Sequence, residues 1–205
     1  MRPGSGLGFA SVLMRLTLGA VFLWAGLAKI AGRVEPAADD AARLVAVGVS
    51  PVTTDTTAVR RMHAAVTLPL LRAATPVSVG DRPALVAWPD WAAGKQAPRL
   101  AWAASIADLV FGVFLILGIL TRLASLGVAF HAAAGIWLTV LAPAIQARDT
   151  VLRFLPNRHA WDMEFWMPHA GLLALLTLAL ALVFIGPGPA SMDRALFRQT
   201  PPPSP

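Results

Sequence analysis

The sequence contains no cysteine and no tyrosine, and only 14% of its 205 residues are charged. The missing cysteine excludes disulfides, thiolate metal sites, cysteine-held iron–sulfur clusters and thiol redox chemistry. The missing tyrosine leaves interfacial aromatic anchoring to seven tryptophans. The scarcity of charge excludes an ordinary soluble domain, which usually carries about 25% charged residues. Four scattered histidines give no metal or haem spacing, so neither a metal site nor a covalently bound cofactor is expected.

What is present is apolar. Hydrophobic residues make up 57% of the chain, and mean hydropathy is +0.65. About 20 apolar residues cross roughly 30 Å of hydrocarbon at helical rise. Four stretches qualify, near Phe9–Ile30, Leu100–Leu120, Leu123–Leu141 and Phe165–Ile185. The first sits where a signal peptide would, but it outruns a typical signal-peptide core and holds Arg15. Only Thr121 and Arg122 separate the second and third, which forces a tight antiparallel hairpin. Pro143 is expected to end the third segment, Pro168 to lie in the first turn of the fourth, and Gly186-Pro187-Gly188-Pro189 to stop it. Trp24, Trp102, Trp137, Trp161 and Trp166 fall at or near these ends, as an aromatic belt would. The expected fold is an all-α integral membrane protein, a four-transmembrane-helix bundle. Its parts are a tail and first helix (1–33), an insert (34–98), a helical hairpin (99–142), a loop (143–164), a last helix (165–186) and a tail (187–205).

The net charge of +6 is mostly arginine between apolar runs. Such placement suits lipid headgroups as partner, not nucleic acid. Arg2, Arg122, Arg194 and Arg198 mark the short tails and the hairpin, which puts both termini in the cytoplasm by the positive-inside rule. Residues 31–99 are too long for a turn and too polar to span. Asp39–Val47 and Thr56–Ala74 read as short helices, the second kinked at Pro69, with Trp88 and Trp91 following. The segment reads as a helical cap lying on the membrane face, the alternative being a loosely ordered loop. Asp162 and Glu164 enter the fourth helix where the helix dipole favours acids. The tail Pro201-Pro202-Pro203-Ser204-Pro205 reads as extended.

Ionisable residues within a membrane are costly and are default functional candidates. Here they are Arg15, Lys29, Asp108, His131 and His169. Arg15, Gly19, Phe22, Gly26 and Lys29 recur at helical spacing, as do Asp108, Gly112, Leu115 and Arg122. With Gly118, the glycines of these stripes (Gly19, Gly26 and Gly112) would let helices approach closely, so both stripes should face the bundle interior. Counting from the helix ends places Asp108 roughly 12 Å and His169 roughly 6 Å below the face that Lys29 also approaches. Lys29, Asp108, Glu164 and His169 are therefore expected as one polar cluster, and Arg15 with His131 as a second. Either cluster could serve proton or quinone chemistry, or satisfy buried charge and fix helix register.

These motifs resemble a known family. The stretch Arg15-Leu-Thr-Leu-Gly-Ala-Val-Phe-Leu-Trp-Ala-Gly-Leu-Ala-Lys29 resembles the first helix of the DoxX family. Ala107-Asp108-Leu-Val-Phe-Gly-Val-Phe-Leu-Ile-Leu-Gly-Ile-Leu-Thr-Arg122 is similar to its second helix and hairpin, and Gly186-Pro-Gly-Pro-Ala-Ser191-Met-Asp193-Arg194 to its C-terminal signature. The long insert and Asp162-Met-Glu164 lean toward the DoxD-type branch, which includes the small subunit of thiosulfate:quinone oxidoreductase. The second-helix acid is often Glu in that family and is Asp108 here, with shorter reach. The resemblance implies a prokaryotic cytoplasmic membrane and a link to the quinone pool. It favours a subunit of a larger redox-associated complex, without a redox centre of its own, working beside other membrane subunits. The competing expectations are a purely structural accessory subunit docking through residues 34–98, and a small transporter. Four helices with so few polar residues make a poor aqueous pore.

Overall fold

The computed structural model describes residues 5–52, 57–75, 85–188 and 191–193. Arg2, Thr56, Pro189, Arg194, Arg198 and the proline-rich end lie outside the described residues. Among those described, four helical segments are long and apolar enough to cross a membrane: Gly8–Ala31, Gln96–Leu117, Thr121–Ala147 and Met163–Ile185. They form the all-α membrane bundle that the hydropathy required.

The first span lies in helix α1, Ser5–Ala31. Helix α4, Gln96–Leu117, forms the second. Helix α5, Thr121–Ile136, opens the third, and helix α7, Met163–Ile185, is the fourth. The four close into a ring in which α1 packs on α4, α4 on α5, α5 on α7 and α7 on α1. Leu18, Phe22, Leu115, Val128, Ala179 and Leu182 fill its centre. Both described chain ends and the α4–α5 hairpin share one end of the bundle, and the insert occupies the other.

Glycine decides how closely α1 and α4 meet. A Cβ at Gly112 would lie 2.6 Å from Leu23 N and 2.9 Å from Gly19 O, and one at Gly26 would strike the Leu109 side chain. Gly118 works differently from the packing role expected of it. It is the left-handed C-cap of α4 at φ +70°, and its N–H returns to Leu115 O. Arg122 departs from its predicted stripe, because the chain has already reversed at Gly118. It begins α5 as an exposed residue lying against Gly186.

Pro143 does not end the third span. A proline inside a helix lacks the N–H and drives its ring toward the carbonyl four residues back. The helix answers with a wide π turn, Trp137–Leu141, and then continues as α6, Ala142–Ala147. Pro69 is accommodated likewise, with the π turn His63–Thr67 leading into α3, Leu68–Ala74.

The insert is a packed unit. Helix α2 spans Ala38–Ala46. The second predicted helix starts later than Thr56, because the chain leaving α1 pairs at once with the returning chain: β1, Arg33–Val34, lies antiparallel to β2, Val59–Arg60. Leu44, Val49, Val59 and Leu68 bury one core, and Leu70, Leu71 and Ala97 a second that includes Trp88, Leu100 and Leu138 of the third span. Arg60 fastens this unit to the bundle. Its Nη1 donates to Ile30 O at 2.8 Å, one of the C-terminal carbonyls α1 leaves unpaired, and its guanidinium lies 5.5 Å from the Trp102 ring centroid. After α6 a short hairpin, β3 (Thr150–Val151) with β4 (Leu155–Pro156), leads to α7. Asp162 caps that helix by accepting from Phe165 N at 3.1 Å.

Candidate functional site

Three helices bring three ionisable side chains together inside the bundle. Lys29, in the last turn of α1, donates from Nζ to Asp108 Oδ2 on α4 at 2.7 Å. The same Nζ is 3.0 Å from His131 Nε2 on α5. His131 Nδ1 in turn lies 3.0 Å from Asp108 Oδ1. An ammonium can only donate, so Nε2 accepts and the imidazole proton sits on Nδ1, facing the carboxylate. That N–H is poorly aligned, and Asp108 Oδ1 is left without a hydrogen bond.

Asp108 is fully buried, while the Lys29 and His131 side chains keep 18% and 24% of their surface. The buried carboxylate therefore has a partly exposed cation on one side and a partly exposed imidazole on the other. Phe22 meets the His131 ring edge-on at 5.9 Å and closes the set from α1. A carboxylate in this setting needs its counter-charge, because an unpaired buried ion costs several kcal/mol. The arrangement can hold and pass a proton, since imidazole exchanges protons through both nitrogens.

This grouping differs from both clusters expected from the sequence. His131 joins Lys29 and Asp108, not Arg15. The hairpin is the only fixed reference between α4 and α5, and Asp108 and His131 stand at nearly equal distances from its two helix ends, Leu117 and Thr121. The two depths match from the hairpin outward because that turn joins the two helices directly, whereas their far ends stand at no fixed relative height. Glu164 and His169 lie elsewhere. Glu164 is exposed in the first turn of α7, and His169 Nδ1 is 2.6 Å from Phe165 O on its own helix. The buried residues of α7, Ala179 and Leu182, belong to its other end, so its first turns stay outside the core.

Arg15 serves the hairpin end. It is buried and donates from Nη1 to Pro187 O at 2.7 Å, while Ser11 Oγ donates to Gly186 O at 2.6 Å. Asp193 completes this clasp. Its carboxylate accepts from Leu120 N at 2.6 Å and Thr121 N at 2.9 Å, capping the start of α5, and its own N–H donates to Gly118 O. Arg15 is drawn electrostatically to the same carboxylate. The Gly-Pro-Gly and Asp193 segment therefore locks α7 to the hairpin. The capping role of Asp193 and the packing of Gly127 against the Phe111 ring were not foreseen. The motif that holds Asp193 was visible in the sequence, but its docking surface was not.

A four-helix membrane bundle with a buried Lys–Asp–His set is thus the class that fold and site define. The DoxX family model matches residues 79–141, less than half of the chain. The match contains Asp108 and His131 but stops short of α1 and α7, and so of Lys29, Arg15 and Asp193. No curated protein and no solved structure matches the chain significantly.

Proposed function

We propose that this chain is a DoxX-family membrane subunit, of the DoxD type, in a larger quinone-linked redox complex of a prokaryotic cytoplasmic membrane. On this reading it holds no redox centre of its own, and both termini face the cytoplasm. The observation that carries the reading is the Lys29–Asp108–His131 set, a protonatable group buried among apolar helices.

The residues present fit a quinone headgroup. The Lys29 ammonium directs two of its three donors at Asp108 and His131, so the third could donate to a carbonyl oxygen, and Asp108 Oδ1 is a buried acceptor lacking an aligned donor. A bound quinone would supply the two-electron chemistry, with the electrons coming from a partner chain. The protein's part is acid–base: Asp108 orients the Lys29 ammonium, and the partly exposed His131 is in contact with both.

The test is quinone reduction by the assembly purified natively in mild detergent. Asp108→Asn should slow it by about a hundredfold, the usual scale for a lost acid–base group, with the complex still intact. Unchanged reduction in an intact complex would overturn the proposal. A structural accessory role is favoured instead by the insert's exposed Val86 and Trp91. Dissociation of the complex in Val86→Asp/Trp91→Ser, with Asp108→Asn silent, would select it.

A further inference from the structure

Away from the ionisable set, a cleft of about 390 Å³ opens between the insert and the end of the third span. It exists because two bulged helices meet there. Pro69 and Pro143 each follow a π turn, both line the cleft, and the small residues Ala73 and Ala147 leave the space between them unfilled. The gap is held open by specific bonds. Gln146 Nε2 donates to Ala73 O at 2.8 Å, and Trp137 Nε1 donates to Ala87 O at 3.0 Å.

The lining is amphipathic. Pro69, Ala73, Leu138 and Pro143 provide apolar surface, while Arg43 and Arg72 supply positive charge at the exposed side. Asp40 accepts twice from Arg72 Nη2, at 2.9 and 2.7 Å, which fixes and neutralises that guanidinium. Arg43, one turn further along α2, has no such partner among the described residues, so the cleft carries net positive charge. Its other wall, Leu138–Ala147, is the terminal part of a membrane-spanning segment. A molecule seated here would have its charged end on the insert and its tail running along the third span into the bilayer. We infer that this cleft binds an anionic phospholipid, its phosphate against Arg43 and its first methylenes against Leu138 and Pro143. A small soluble anion would gain nothing from the apolar wall, and a zwitterionic lipid brings its own cation beside Arg43 and Arg72, which offsets the attraction of its phosphate.

Native mass spectrometry of the full chain, released from detergent with added lipid, tests this. Phosphatidylglycerol should be retained and phosphatidylcholine should not. Arg43→Gln should weaken retention about tenfold, the loss of one charge-assisted contact. Ala147→Trp, an exposed substitution that blocks the cleft and leaves the charge in place, should weaken it similarly. Both variants should keep the wild-type thermal transition without lipid, which shows that they fold. Equal retention of the two lipids, undiminished retention in the folded variants, or complete displacement by millimolar inorganic phosphate would each overturn the inference.

Discussion

Asp108→Asn removes the charge but not the shape of the residue at the centre of the bundle. Its cost follows from who is left behind. Breaking a buried ion pair by deleting one partner costs about 3–5 kcal/mol, because the survivor is an uncompensated ion. The survivor here is Lys29, already 18% exposed in the last turn of α1, and a lysine can carry its ammonium toward water. The expected cost is therefore about 2–3 kcal/mol. Lys29→Met strands the fully buried Asp108 instead and should cost about 3–5 kcal/mol. The double variant removes both charges and should come within about 1 kcal/mol of the wild type, since buried pairs are often replaceable by apolar residues. Reversible unfolding in mixed detergent micelles, followed by tryptophan fluorescence, gives all four corners of the cycle. If the two single changes add in the double variant to within about 0.5 kcal/mol, the side chains do not interact and the site as described is wrong.

Other outcomes follow from the same contacts. Gly112→Ala should destabilise by about 1–3 kcal/mol, because the new methyl meets the backbone at Leu23 N and Gly19 O; Gly171→Ala, with open space around it, should be neutral or stabilising by up to about 1 kcal/mol in the same assay. Asp193→Ala should cost about 1 kcal/mol and speed amide exchange at Leu120 and Thr121, the two N–H groups it caps. His63, beside Thr67 in the insert, has its pKa held below the ordinary 6.5 by burial first and by Arg60 second. The unfolded chain therefore takes up the proton before the folded one, so insert stability should be level above about pH 6.5 and fall as the pH drops below it. Exchange of the Thr67 amide against pH checks this, and His63→Gln should remove the slope.

Residue type and order alone determined that this chain forms four apolar helices, that α4 and α5 make a hairpin, and that Arg15, Gly19, Gly112 and Asp108 face inward. Each follows from hydrophobic length or helical period, which are properties of one segment at a time. Tertiary structure decided which polar residues meet. Register between helices depends on how neighbouring helices are joined and covered, and here that was set by features with no hydropathic signature: the left-handed turn at Gly118 and the insert covering the first turns of α4. His131 therefore joins Lys29 and Asp108, Arg15 holds the C-terminal segment, and Glu164 and His169 stay at the rim. A shift of a few residues in one helix moves a side chain by several ångströms, enough to exchange one partner for another.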